Sequence, residues 1–296
     1  MTSMTTADPR TPDAAAPQHR HRVRSAFRTP AGLTGVILLG ISLVLGLMAM
    51  FRIGPSPSRQ NVALSLRPPS AAHWFGTDQF GRDVFARVAS GIQNSLQIAV
   101  VSVAIAAIVG ILLGVLAGYY LGVLDRIVGV FTNVLFAFPS LLLALALAAT
   151  LQRSWVTVAV AIAVVYTPIF ARVARGPVLT LRGSDYVVAS TALGRGSLST
   201  LFAHVLPNIQ GILVVQTTLS LSWAILTEAS LSFLGFGTPP PAASLGGMVY
   251  DAQTLAGVAP WMLLFPGAVL VMTVIGLNLV GDSLRVALDP KGETQQ

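Results

Sequence analysis

The stretch Val88–Leu124, VASGIQNSLQIAVVSVAIAAIVGILLGVLAGYYLGVL, contains no Asp, Glu, Lys or Arg. A helix crosses the hydrocarbon core of a bilayer with about 20 apolar residues, so this run is longer than one crossing needs. On either side lie further uncharged stretches at 29–51, 127–152, 154–171, 196–227 and 252–281. Each is long enough for one span, 154–171 being the shortest. The pattern predicts an all-α integral membrane protein with about six transmembrane helices. One more uncharged stretch, 229–250, is crowded with Gly235, Gly237, Pro239, Pro240 and Pro241. That composition reads as a loop or re-entrant segment.

The totals agree. Of 296 residues 54% are hydrophobic and 10% charged, with a mean hydropathy of +0.74, whereas soluble domains carry about 25% charged residues. Cysteine is missing, which excludes disulfides and thiolate metal sites. The net charge of +7 raises the question of nucleic acid, but no basic stripe interleaved with aromatics is present, and nucleic acid is not expected as a partner. The charge follows topology instead. With the N-terminus inside, the segments 1–30, 119–126, 172–208 and 283–296 hold 12 of the 18 basic residues, which predicts cytoplasmic termini. Arg20, Arg22, Arg24 and Arg28 precede the first span like the n-region of a signal peptide. The apolar run to Phe51 is too long for an h-region and no small-x-small site follows, so it reads as an uncleaved anchor.

The expected organisation is a disordered cytoplasmic tail at 1–30, an anchor at 31–52 and an extracytoplasmic segment at 53–92. A transmembrane core at 93–284 and a cytoplasmic tail at 285–296 complete it. Gly110, Gly114 and Gly118 recur every four residues after Ala106, a spacing that lets helices approach closely in lipid. Pro139, Pro168 and Pro266 are expected to kink their helices.

The segment 172–208 is too polar to cross the bilayer, yet it is patterned. Asp185 to Leu193 predicts a short helix and Gly194 a turn. Ser197 can cap a second helix, in which Leu198, Leu201, Phe202 and Val205 form one apolar stripe. Pro207 is expected to push Leu206 out of the helical region and end it. Such a helix–turn–helix can rest on lipid headgroups or insert into a groove on a cytoplasmic partner. The spacing alone leaves both open.

The run Asp185-Tyr186-Val187-Val188-Ala189-Ser190-Thr191-Ala192-Leu193-Gly194, followed by His204-Val205-Leu206-Pro207-Asn208, resembles the EAA motif of ABC importer permeases. Ala189, Gly194, His204, Leu206, Pro207 and Asn208 match it. Val188 stands at the glutamate position and Ser190 at the second alanine. Gly76-Thr77-Asp78-Gln79-Phe80-Gly81-Arg82-Asp83 looks like the signature before the second span of dipeptide, oligopeptide and nickel permeases. Phe136-Ala137-Phe138-Pro139 is similar to their third span. Glu228-Ala229-Ser230-Leu231-Ser232-Phe233-Leu234-Gly235 and Asn278-Leu279-Val280-Gly281-Asp282-Ser283-Leu284-Arg285 are similar to the C-type subunit. The likeness runs from about His73 to Pro290.

The resemblance implies a type I ABC importer permease fold with a cytoplasmic coupling helix, in a multi-pass protein of the inner membrane. Its partners would be a homologous permease in a heterodimer, two ATP-binding subunits and an extracytoplasmic solute-binding protein meeting the 53–92 and 233–260 surfaces. Tyr186, Leu198 and Phe202 would join the matched loop residues in contacting the ATPase, and His204 would steady the loop. Peptides are the implied cargo, with nickel chelates or other small solutes as the alternative. No cofactor is expected on this chain; ATP and Mg would sit on the partner subunits.

The residue inventory supports a translocation subunit over an enzyme. The one lysine, Lys291, is followed by Gly292, whereas a P-loop requires Gly-x4-Gly-Lys-Ser/Thr. Ion-coupled carriers place acids or histidines in the membrane. Here Glu228 is the main such residue, expected near the outer end of the fifth span against a polar neighbour. Asp282 is expected to hold the C-terminal segment through Arg285. An intramembrane hydrolase needs a nucleophile and a base, and none of His19, His21, His73 and His204 lies within a span. Asn94, Gln97, Asn133, Gln216 and Asn278 could face a pathway, but more often such residues hydrogen-bond between helices.

Overall fold

The computed structural model describes residues 27–288. The N-terminal tail up to residue 26, and the C-terminal tail from residue 289 with Lys291, lie outside them. Helix α1 spans Pro30–Met50, α2 Val84–Tyr120, α3 Gly122–Phe136, α4 Ser140–Thr150 and α5 Trp155–Arg182. Then come α6 at Asp185–Ala192, α7 at Ser197–Thr200, a π turn at Leu201–Val205, α8 at Leu206–Phe233, α9 at Leu245–Ala252 and α10 at Trp261–Leu288. Four helix starts carry side-chain caps. Thr29 accepts from Gly32 N at 3.1 Å, Asp83 from Ala86 N at 2.8 Å, Ser154 from Thr157 N at 3.1 Å and Ser244 from Gly247 N at 3.1 Å.

Five helices are long and apolar enough to cross a membrane alone. The 127–152 region differs from its expected single span, because α3 and α4 meet at 91° across the break at Pro139. At 1.5 Å per residue α4 reaches only about 17 Å, too short to cross unaided. The pair still carries the chain from one end of the molecule to the other. The contacts Gly110 with Thr167, Gly114 with Ala171 and Gly118 with Arg175 run in the same direction, so α2 and α5 are parallel. A chain that descends twice in parallel must climb back between, and only α3–α4 connects them. The molecule therefore makes six passes. Pro168, Pro177 and Pro266 sit inside continuous helices.

The α2–α5 seam is the main helix contact. A Cβ on Gly110 would lie 2.5 Å from the Thr167 carbonyl oxygen, and one on Gly114 would overlap the Ala171 carbonyl. The small-residue spacing is thus a packing device. Around it a core of Ile98, Ala106, Ile162, Phe170, Ile225 and Leu231 is fully buried. Helix α1 lies antiparallel to α10, where Gly35 faces Leu279 and Gly276 faces Leu38 and Leu39. A buried hydrogen bond of 2.8 Å joins Ser42 Oγ and Thr273 Oγ1, a polar clasp between helices in an apolar medium.

One end of the molecule gathers Thr29, Tyr120, Arg182, the α6–α7 loop and Leu288; the other gathers 51–83, Phe233 and 234–260. Described residues at both chain ends therefore share the end that bears the loop.

Candidate functional site

The loop is shorter than its charges suggest. Residues 172–182 continue α5 rather than opening a loop, and helix resumes at Ser197. Within it, α6 ends where expected. Gly194 adopts φ +82°, Gly194 N donates to Thr191 O at 3.0 Å and Arg195 N to Ser190 O at 3.2 Å. These two bonds around a left-handed glycine form a Schellman ending. Ser197 is the first residue of α7 rather than its cap; Gly196 holds the cap position and makes no side-chain bond.

Pro207 does not end a helix. Leu206 remains helical at φ −57°, ψ −45°, and its N–H donates to Leu201 O, five residues back. A proline ring clashes with the carbonyl four residues before it, and the wider π turn relieves that clash. Asn208 Nδ2 then donates to His204 O at 2.6 Å. The result is one unbroken rod from Ser197 to Phe233.

The expected stripe splits across the rod. Leu201 and Val205 are buried with Val187, against Val115, Ala174, Val178, Ile209 and Leu213. Leu198 and Phe202 point away and are 60% and 67% exposed. They join Tyr186, Val188 and Leu193, which is 89% exposed, in an apolar surface at the tip. Ala189, Gly194, Pro207 and Asn208 are also exposed, and Leu206 is half-buried. Arg195 braces this tip: its Nε donates to Ser199 Oγ at 2.8 Å and its Nη1 lies 3.0 Å from His204 Nε2. The Tyr186 ring meets the His204 ring edge-on at 6.2 Å.

At the opposite end, residues 76–83 form a knot that their sequence spacing did not reveal. Asp78 Oδ2 accepts from Arg82 Nε at 2.6 Å and faces Arg87 Nε at 3.5 Å. Its Oδ1 accepts from Phe80 N and Arg82 N, each at 2.9 Å. Thr77 Oγ1 donates to Leu64 O and accepts from Arg67 N at 2.9 Å, while Trp261 Nε1 donates to Thr77 O at 3.1 Å. Asp83 caps α2 and also bonds His73 Nδ1 at 2.8 Å. Gly76 and Gly81 have φ +73° and +65°, and a side chain on Gly81 would overlap the Asn61 carbonyl. Thr77, Asp78, Arg82, Asp83 and Arg87 are all buried. Asp251, at the end of α9, completes the charge set. Although Asp251 is exposed at the surface, its partial desolvation pushes the carboxyl above the usual range, Arg87 and Arg82 pull it back, and Asp78 adds to the upward push.

Glu228 is fully buried near the far end of α8. Its two oxygens accept from Ser95 Oγ at 2.5 Å and Ser232 Oγ at 2.7 Å, so it ties α8 to α2 as the expected partner of polar neighbours. Asp282 is different. It is exposed, as is Arg285, and among the described residues the two make no ion pair. Of the polar span residues, Asn94 donates to Thr238 Oγ1 at 2.9 Å, Asn133 accepts from Arg172 at 3.3 Å and Gln216 donates to Ser220 at 3.0 Å. Gln97 is exposed and Asn278 half-buried.

The six passes, the glycine seam and the loop that feeds directly into a span describe a multi-pass membrane protein. Residues 110–293 match the family described as "Binding-protein-dependent transport system inner membrane component". The chain belongs to this family. As one of these inner membrane components it is a multi-pass membrane protein with the type I ABC permease fold. It is 37% identical over 272 residues to the dipeptide transport system permease protein DppC of Alkalihalophilus pseudofirmus, covering 92% of this chain and 90% of that one. It is 37% identical over 259 residues to the oligopeptide transport system permease protein OppC of Bacillus subtilis, covering 88% and 85%. Identity reaches 43% over 223 residues with the glutathione transport system permease protein GsiD of Escherichia coli, covering 75% and 74%.

Sequence reading missed His73, Arg87, Asp251 and Trp261 as members of the knot. Asp83 alone carried a local signal, since an Asp ahead of a long apolar run is a capping residue. The others meet across sequence distances that no periodicity encodes.

Proposed function

We propose that the chain is the C-type permease subunit of an ATP-driven, binding-protein-dependent importer of di- and oligopeptides. It would pair with a homologous permease, two ATP-binding subunits that hold ATP and Mg, and an extracytoplasmic binding protein. The observation that carries this reading is the exposed apolar tip of Tyr186, Val188, Leu193, Leu198 and Phe202, braced by Arg195 and His204, with Leu198 and Phe202 on the rod that continues into α8. An exposed apolar patch at the end of a rigid element is suited to a groove on a partner. With the N-terminus inside, the segments 1–30, 119–126, 172–208 and 283–296 hold 12 of the 18 basic residues, which supports placing the loop, with both termini, in the cytoplasm. The names of the relatives support peptide-like cargo.

Val188 stands where the family motif has glutamate, so docking on this subunit would rest on apolar contact rather than on a carboxylate. Leu198→Ser combined with Phe202→Ala should leave the thermal midpoint of the chain unchanged, because both side chains already face solvent. The same double substitution should weaken association with the ATPase by roughly tenfold or more, as loss of buried interface anchors does. Wild-type association in that variant would dismiss the tip as the docking surface.

Orientation has a separate test, helped by the lack of native cysteine. Ser199 and Thr254 are exposed at opposite ends; Ser244 is buried as the cap of α9 and makes a poor probe. Ser199→Cys should react with a membrane-impermeant thiol reagent only after the membrane is opened, and Thr254→Cys in intact cells. The reverse pattern would invert the topology.

The complex itself is tested by purifying the tagged chain from its own membranes in mild detergent and sequencing what accompanies it. A second permease and one or two proteins with Walker motifs are expected. Recovery of the chain alone would end the importer reading and turn attention to Glu228 as an ion-coupling residue.

A further inference from the structure

Between the lower ends of α2 and α5 and the loop helix α6 lies a cavity of about 330 Å³. Its polar lining comes from Tyr119, Tyr120, Arg182, Thr191 and Ser197, over a floor of Val187 and Val188. No carboxylate lines it, and Arg182 supplies one full positive charge. Among the described residues Arg182 has no ion-pair partner, in contrast to its neighbours on α5. Arg175 is held by Asp125 at 2.5 and 2.8 Å, and Arg172 lies over the Phe136 ring at 4.1 Å. Among the described residues the Ser197 hydroxyl has no hydrogen-bond partner, so its proton is available to an acceptor. Thr191 Oγ1 spends its proton on Val188 O at 2.8 Å and has only lone pairs to offer, which suit a ligand hydroxyl.

The level of the cavity identifies the ligand. Tyr119 and Tyr120 form the last turn of α2, near the end of the uncharged run that reaches Leu124 and just before Asp125, at the place where aromatic rings mark the edge of the hydrocarbon. A basic pocket between transmembrane helices at that depth fits the phosphate of an anionic lipid, and the long arginine side chain can reach the headgroup plane. We propose that this cavity binds the phosphate-bearing headgroup of an anionic phospholipid such as phosphatidylglycerol. Arg182 and Ser197 donate to the phosphate, and Thr191 accepts from a glycerol hydroxyl. The carbonyl ends of α2 and α5 oppose an anion at this position, so binding depends on Arg182. Because Val187 and Thr191 belong to α6 while Tyr119 and Arg182 belong to the spanning body, a bound lipid clamps the loop to the body.

The test uses the full-length chain with whatever co-purifies, delipidated in maltoside micelles. Binding is read as the rise in thermal midpoint on titrating phosphatidylglycerol, phosphatidylcholine or inorganic phosphate. Phosphatidylglycerol should stabilise the wild type and phosphatidylcholine should not. Arg182→Gln should weaken the phosphatidylglycerol response by about tenfold, the worth of a charge-assisted hydrogen bond. Arg285→Gln, which removes an exposed cation from the same end, should leave it unchanged. An equal response to inorganic phosphate would overturn the lipid as occupant. Equal responses to the two lipids, an unaltered response in Arg182→Gln, or a matching loss in Arg285→Gln would overturn the site.

Discussion

Gly114→Ala is expected to collapse the yield of folded chain, while Gly176→Ala on the facing helix is expected to be tolerated. Alanine ordinarily favours a helix over glycine by about 1 kcal/mol, so propensity alone predicts the opposite for Gly114. Packing decides. A Cβ there overlaps the Ala171 carbonyl, which belongs to backbone and cannot rotate away, whereas a Cβ on Gly176 meets open space. Overpacking a tight core costs about 1–3 kcal/mol and sometimes more. Here the upper part of that range applies, because α2 and α5 would have to separate along the whole seam at Gly110, Gly114 and Gly118. The measurement is the monodisperse fraction of a fluorescent fusion on size exclusion in mild detergent. Comparable peaks for Gly114→Ala and wild type would show that the seam yields.

Asp78→Ala is the second large effect. Asp78 is buried between Arg82 and Arg87, which are themselves buried, and it also accepts the Phe80 and Arg82 backbone N–H groups. Removing one partner of a buried ion pair costs about 3–5 kcal/mol, chiefly because the remaining charge is stranded. Two buried guanidinium groups would lose their buried carboxylate at once, with only the exposed Asp251 left within electrostatic reach. A fall in thermal midpoint on the order of 10 °C follows from that cost in a chain of this size. Asp78→Asn should fall between, since one amide oxygen can still accept from the backbone while the charge is lost. A midpoint within a degree or two of wild type for Asp78→Ala would mean that the arginines find other partners and that the knot is not what fixes the 61–83 segment.

The passes were legible because lipid imposes a simple rule on composition, and uncharged length is enough to reveal it. The glycine seam and the Gly194 turn were legible for a related reason: each is a local backbone demand that few residue types meet. The boundaries were not. Taking Arg172 and Arg175 as the end of a span treats charge as a stop signal, yet α5 runs on to Arg182 with Arg175 matched by Asp125. Pro207 misled in the opposite direction, since its usual effect on the preceding residue was absorbed by one π turn. At Pro139 the break proved far sharper than a kink. The loop stripe was half right, as Leu201 and Val205 are core while Leu198 and Phe202 are surface; spacing gives a face but not its width. The knot around Asp78 was recognised as a motif without its content, because His73, Arg87, Asp251 and Trp261 complete it through tertiary contacts.

The continuity of Ser197–Phe233 has a mechanical meaning. A loop joined to a span through a flexible linker would dissipate a push as disorder, and its movement would stop at the membrane surface. Here Phe202 and Glu228 ride on the same stiff shaft, about 39 Å apart along its axis at the α-helical rise, with no slack between them. Displacing the tip must tilt, turn or slide the shaft as a whole, and Ser95 at the other end moves or loses its hold on Glu228. Work done at one face of the membrane is thereby delivered near the other by leverage, in a single stroke.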